Sequence, residues 1–304
     1  NGVMADSAAG GQWQSNYVSN PVAATHTDID FPDCNNGIAA GGATITVTED
    51  GGKTWKDKSR ADFVNLNINI NAVAYAALNK AYFATSAGIL YFSPDKGTTL
   101  DPLYTNTGLQ FTDVTTVGND SIWMTAYSAF SVASASRTSS VLRSIDGGLT
   151  WQSAGGFPIG TTAPRLDKIT FPSRNVGYAA GTRNAVYKTT DGGATWTNIS
   201  PFPSLNAGPV GFTSAFVQYQ EIQALDDNTV FVIGNMFTNT GVKRVYKTTD
   251  GGTTWTDITG NLPLLLPVGN LVGLSMHDAN NGYVTAGNTL FQTTNGGTSW
   301  VMEA

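Results

Sequence analysis

Few residues in this 304-residue sequence could do chemistry. Glutamate occurs only as Glu49, Glu221 and Glu303. Tyr219 and Glu221 stand two apart in a strand-like segment, which would put both on one side of an extended backbone. A glycosidase of paired carboxylates would need Glu221, or an aspartate such as Asp62 or Asp167, to converge on a second acid. Cys34 is alone, and neither His26 nor His277 has a nucleophile or acid at triad spacing. One cysteine and two histidines leave no thiolate or imidazole cluster, so neither a metal nor a cofactor is expected. Five cations are more suggestive. Arg60, Arg137, Arg165, Arg183 and Lys243 fall in predicted connections, where guanidinium forks would suit a carboxylate, sulfate or phosphate. Phe130, Phe202 and Phe237 lie in the same kind of segment. These eight residues are the candidate ligand-binding set.

What positions them is an internal repeat. The octet Thr48-Glu49-Asp50-Gly51-Gly52-Lys53-Thr54-Trp55 returns as Ser144 to Trp151, Thr189 to Trp196, Thr248 to Trp255 and Thr293 to Trp300. The last copy has Asn295 in place of the aspartate. A sixth copy, Ser93 to Leu100, keeps Asp95 but has lost one glycine and the tryptophan. Asp and the flanking Ser/Thr can accept backbone N–H groups, Gly-Gly supplies positive φ, and the Trp offers a large apolar surface to wedge against a neighbour. Upstream, Phe31 to Ile38, Phe171 to Tyr178 and Met276 to Tyr283 form a second repeated turn, rich in Asn and Gly. One repeat therefore reads as four short strands, for example 166–171, 176–181, 185–190 and 195–199.

The octet closely resembles the Asp-box, S/T-x-D-x-G-x-T-W, of sialidase-like and BNR-repeat β-propellers. That resemblance implies an all-β propeller of six four-stranded blades, about 20–58, 59–103, 104–153, 154–199, 200–258 and 259–304. The alternative is seven blades with one incomplete or shared. Residues 1–19 would form an N-terminal segment with an isolated strand around Trp13. Asp50, Trp55, Asp95, Asp146, Trp151, Asp191, Trp196, Asp250, Trp255, Asn295 and Trp300 are then structural turn and wedge residues. In such a fold the octets and the upstream turns share one face. The candidate ligand-binding residues, on B–C and D–A connections, project from the other. Variable loops on a regular scaffold are where binding tends to be placed.

Sialidases use three arginines, a Tyr–Glu nucleophilic pair, an Asp acid/base and an early Arg-Ile-Pro segment. This sequence offers Tyr219 and Glu221 for the pair but only Pro164-Arg165-Leu166, in mid-chain, for the Arg-Ile-Pro. The sequence is also similar in pattern to the photosystem II assembly factors, which carry Asp-box blades on a non-enzymatic scaffold. A net charge of −6 argues against a nucleic-acid partner. No apolar stretch is long enough for a membrane-spanning helix, and the residues from Asn1 lack a secretory-leader pattern. The expectation is a non-enzymatic binding or assembly scaffold for a protein or glycan, secreted, periplasmic or on the cell surface. The alternative is a glycoside hydrolase of sialidase-like or xyloglucanase-like type, catalysed by Tyr219 and Glu221.

Overall fold

The computed structural model describes residues 26–128, 139–154, 157, 164–201, 217–236, 243–262 and 269–303. The N-terminal segment around Trp13 lies outside them, as do Phe130, Arg137, Phe202 and Phe237.

The strands follow the repeats. Blade 1 holds β1 (Asp28–Asp30), β2 (Gly37–Gly41), β3 (Thr44–Thr48) and β4 (Lys56–Asp57). After a five-residue helix, α1 (Ala61–Asn65), blade 2 holds β5 (Ile70–Ala77), β6 (Lys80–Thr85), β7 (Ile89–Ser93) and β8 (Asp101–Thr105). Blade 3 is β9 (Leu109–Val117), β10 (Ser121–Ser128), β11 (Ser139–Ser144) and β12 (Gln152–Ser153). Blade 4 is β13 (Leu166–Thr170), β14 (Gly177–Gly181), β15 (Val186–Thr189) and β16 (Thr197–Asn198). Blade 5 is β17 (Val217–Ala224), β18 (Val230–Met236), β19 (Lys243–Thr248) and β20 (Thr256–Asp257). Blade 6 is β21 (Leu271–Met276), β22 (Gly282–Ala286), β23 (Thr289–Thr293) and β24 (Val301–Met302). Each blade is a separate four-stranded sheet paired in sequence order, and the fold class is the six-bladed β-propeller.

β2, β3 and β14 are buried at every position, because both faces of these sheets meet apolar neighbours, whereas β22 and β23 of blade 6 are buried at only about half of theirs. The fourth strand is two residues long in five blades, which leaves little open edge for aggregation. Two compact units divide the protein, Asn1–Met124 with Ser144–Trp151, and Thr125–Arg143 with Gln152–Ala304. The first packs around Ile38, Ile45, Phe63, Ile70 and Phe83. Among the described residues, the second has one cluster around Tyr178, Tyr219 and Val232 and another around Phe231, Leu271 and Trp300.

The octets turn as their residue types dictate. In the first, the Thr48 hydroxyl donates to Asp50 Oδ1 (2.8 Å) and accepts from Gly52 N–H (2.9 Å). Thr54 donates its N–H to Asp50 Oδ1 (2.9 Å) and its hydroxyl to Oδ2 (2.6 Å). Gly51 and Gly52 have φ of 73° and 85°, where a Cβ would be strained. Gly51 N–H also donates to Asn35 O in the upstream turn of the same blade (2.8 Å), which ties the two turns together. Gly192 to Asn175, Gly251 to Asn228 and Gly296 to Asn280 repeat that bond. Asn295 keeps the geometry with one reversal: its amide Nδ2 donates to Ser299 Oγ (2.8 Å), where aspartate would accept.

The tryptophans fall into two sets. Trp55, Trp151 and Trp196 donate Nε1–H to a glycine carbonyl of their own turn. Trp255 and Trp300 instead donate to Ile199 O and Ile258 O, just past the fourth strand of the preceding blade. Trp123, outside any octet, is fully buried.

Candidate functional site

Inner strands carry a feature that the repeat does not announce. The pairing register shifts between Ile70 and Ala72, Leu166 and Lys168, Tyr219 and Glu221, and Leu271 and Gly273. Each is a bulge near the start of an inner strand, where the connection from the preceding blade enters. A bulge re-aims the side chain at its extra residue, and such sites are enriched next to functional positions. Two-residue alternation therefore breaks at Tyr219–Glu221. Tyr219 and Ile222 face the core, while Gln220 and Glu221 are half-exposed. The Tyr219 phenol is raised by burial, the opposite of what a nucleophile needs.

In the second unit the bulged residue of β13 is Asp167, which lies beside two cations. Arg165 Nε lies 2.6 Å from Asp167 Oδ1, and Nη2 donates to Oδ2 at 3.1 Å. The guanidinium also sits over the Tyr127 ring, 5.3 Å from its centroid, at the end of β10. Lys168 Nζ lies 3.1 Å from Glu221 Oε2 on β17. The backbone beneath is clamped: Arg165 N–H donates to Thr182 Oγ1 (2.8 Å), and Leu166 N–H to Ser139 Oγ (3.1 Å). Burial raises the Asp167 carboxyl, and the nearby Arg165 and Lys168 offset only part of that effect. Two cations and two carboxylates thus pair on neighbouring inner strands, held by the ends that lead into the loops. Chemically, this is a preformed, half-buried polar surface that can exchange internal ion pairs for those of a ligand.

The other candidates are placed variously. Arg60, in the first unit, donates to both carboxylate oxygens of Asp62 (2.9 and 2.8 Å) and lies over Phe63. Lys243 is buried at the start of β19, and burial lowers its ammonium. Arg183 is exposed at the tip of the β14–β15 turn with a φ of 58°. Of the four described cations, two are therefore neutralised by a carboxylate two residues on, and one is buried. The pattern Arg-x-Asp in Arg60-Ala61-Asp62 and Arg165-Leu166-Asp167 was the available signal for that pairing. Lys168, Tyr127 and Ser139 were not singled out by sequence, because only the fold brings them to Asp167. Among the described residues no group of three His, Cys, Asp or Glu could hold a metal ion, and no helix is long and apolar enough to cross a membrane.

The family model described as photosynthesis system II assembly factor YCF48 matches residues 5–137 and 134–261. Among solved structures, YCF48 bound to a D1 peptide aligns with a TM-score of 0.64 at 18% identity, covering 94% of this protein and 83% of that one. A GH74 enzyme from Niastella koreensis aligns with a TM-score of 0.65 at 20% identity. That alignment covers 92% of this protein but only 45% of the enzyme. The computationally designed protein Ika8 aligns at 0.53 with 13% identity, over 92% and 86% of the two proteins. No curated protein sequence matches this one. At these identities the structural likeness shows the propeller fold alone.

Proposed function

The protein belongs to the photosynthesis system II assembly factor YCF48 family, and from that premise we propose that it is a non-enzymatic scaffold that binds a protein segment at its B–C and D–A loop side. One observation carries this reading: Asp167 and Glu221, candidate acids of the β13–β17 region, are each held by a cation of the same network. A carboxylate spent in this way is poorly placed for acid–base work but well placed to trade partners with a docking polypeptide. The D1 peptide bound to a YCF48 of the same fold supports a protein segment as the ligand class. The octet array, which resembles those of extracellular BNR-repeat propellers, supports a location outside the cytoplasm, testable by fractionation of the native host.

The test is selection from a peptide display library, followed by titration of the best binder against two variants. Shortening residues 129–138 to a tight hairpin, which keeps β10, β11 and the Ser139 clamp, costs little in loop entropy. It is expected to abolish binding, and Arg165→Ala to weaken it. Unchanged affinity in both variants would reject the loop-side location.

One observation favours a second reading, glycoside hydrolysis. The raised Asp167 carboxyl is the kind of group that could stay protonated as a general acid. A GH74 enzyme among the structural neighbours agrees with it at the level of fold. Turnover of glycoside substrates by the purified protein separates the two.

A further inference from the structure

In the second unit, the residue just before an octet is a cation three times running: Arg143, Lys188 and Lys247. Each reaches toward the octet of the following blade. Arg143 Nη1 donates to Asp191 O and Gly192 O (3.1 and 3.0 Å), and Lys247 Nζ donates to Ala279 O (2.8 Å). Lys188 extends the same way, so far that a Cβ on Gly251 would lie 2.1 Å from its Nζ. Yet among the described residues it has no hydrogen-bond acceptor, and it is only half-buried.

Its neighbour across the sheet supplies the reason. Lys247 pairs with Phe231 and lies over that ring at 5.2 Å; Lys188 pairs with Tyr178 and lies over it at 5.5 Å. Tyrosine differs by one hydroxyl. The Tyr178 hydroxyl donates to Asp227 O at 2.6 Å, the carbonyl equivalent to the one Lys247 uses in the next blade. The Tyr178 hydroxyl thus stands at the carbonyl that its lysine counterpart uses in the next blade, and the Lys188 ammonium makes no hydrogen bond among the described residues. It faces a groove of about 230 Å³ between the fourth and fifth octets, lined also by Thr190, Thr197, Ile199, Gly251 and Thr253. Thr197 is the cross-strand partner of Lys188, and among the described residues the hydroxyls of Thr190 and Thr197 have no hydrogen-bond partner.

We propose that this groove is a carboxylate-binding site, with Lys188 as its cation and Thr190 and Thr197 as hydroxyl donors. One ammonium and two neutral donors match a singly charged, planar acceptor such as an Asp or Glu side chain or the terminal carboxylate of a peptide. The site lies on the octet side, and it neither rests on nor competes with the loop-side reading.

The test is NMR titration of the Gly251, Gly252 and Thr253 amides of the full-length protein with acetate and with N-acetylglutamate, at constant ionic strength against chloride. Saturable shifts at these amides are expected from both carboxylates, stronger with N-acetylglutamate if the ligand is peptide-borne. Lys188→Met is expected to weaken binding about tenfold or more, roughly what losing one charge-assisted contact does. Lys247→Met, whose ammonium already has a carbonyl, is expected to leave it unchanged. Tyr178→Phe keeps the cation but frees Asp227 O to receive it, and should also weaken binding; far-UV and thermal melts verify that each variant is folded. Equal titrations in the parent and Lys188→Met, a folded Tyr178→Phe that binds as well as the parent, or shifts seen equally with chloride would overturn the proposal.

Discussion

In blades 1 and 2, a half-buried Lys96 reaches from one octet to the exposed Glu49 of the other at 3.0 Å, and the exposed Lys56 closes on the same carboxylate at 2.8 Å. Blades 3 to 6 make the corresponding links with backbone carbonyls, through Arg143 and Lys247, and with the indole N–H groups of Trp255 and Trp300. Inner strands show the same contrast. Asp28 and Asp30 accept Val73 and Tyr75 N–H with carboxylates (2.8 and 2.7 Å). In the second unit, Gln223 exchanges both its amide groups with Met276 (2.9 and 2.6 Å), and Asn235 does so with Leu271 (2.9 and 3.0 Å). Between blades, the first unit thus relies on the carboxylates of Asp28, Asp30 and Glu49, whereas the second adds buried amides and indoles to its cation–carbonyl links and the Lys168–Glu221 pair. Exposed ion pairs contribute little and yield to salt, whereas buried amides leave unsatisfied partners behind when removed. The buried amide links of Gln223 and Asn235 should therefore withstand salt and acid better than the Glu49 and Asp28–Asp30 links of the first unit.

The largest expected effect is at a buried wedge. Trp196→Ala should cost about 3–5 kcal/mol, the cost of truncating a buried aromatic. Trp55→Ala, at a half-buried position in the first unit, should cost about half as much. Urea melts followed by probes in each unit test this, and equal costs would remove the distinction. Next comes Gln223→Ala, expected to cost about 2–4 kcal/mol because Met276 N–H and C=O both lose their partner inside the protein.

A smaller effect concerns acid. Hydrogen bonds from Thr54, Thr150 and Thr254 hold Asp50, Asp146 and Asp250 down at about 2; at Asp191, partial burial works the other way and is outweighed by Thr195. A carboxyl with a folded value near 2 and an ordinary value of about 3.9 unfolded stabilises fully above about pH 4. That contribution is lost as pH falls toward 2. Asn295 has no such titration. Asn295→Asp should therefore raise Tm by about 1–2 °C at pH 7 and give no gain at pH 2. A gain of equal size at both would contradict the turn chemistry. The smallest effect is Glu49→Gln: slightly lower stability at low ionic strength, indistinguishable from the parent in 1 M NaCl.

The propeller was legible because Asp-Gly-Gly turns and their spacing are local, and local chemistry survives in a sequence. Blade 4 shows it, with strands expected at 166–171, 176–181, 185–190 and 195–199 and found at 166–170, 177–181, 186–189 and 197–198. The bulge between Tyr219 and Glu221 was not legible, since nothing in Tyr-Gln-Glu marks an unpaired residue, and strict alternation put both side chains on one face. Which carbonyl a tryptophan reaches was also hidden. Trp196 and Trp255 follow near-identical octets, yet one bonds its own turn and the other the blade before it. The Arg165–Asp167 pair could have been read from two residues of spacing; the Lys168–Glu221 pair, 53 positions apart, could not.

Whether this propeller binds or catalyses is tested most directly by turnover of the purified parent, Asp167→Asn and Glu221→Gln on xyloglucan, arabinan, sialosides and aryl glycosides. The scaffold account expects no hydrolysis by the parent on any of them, with the selected peptide still captured by Glu221→Gln. Reproducible hydrolysis by the parent that either substitution abolishes, with the fold intact, would contradict it.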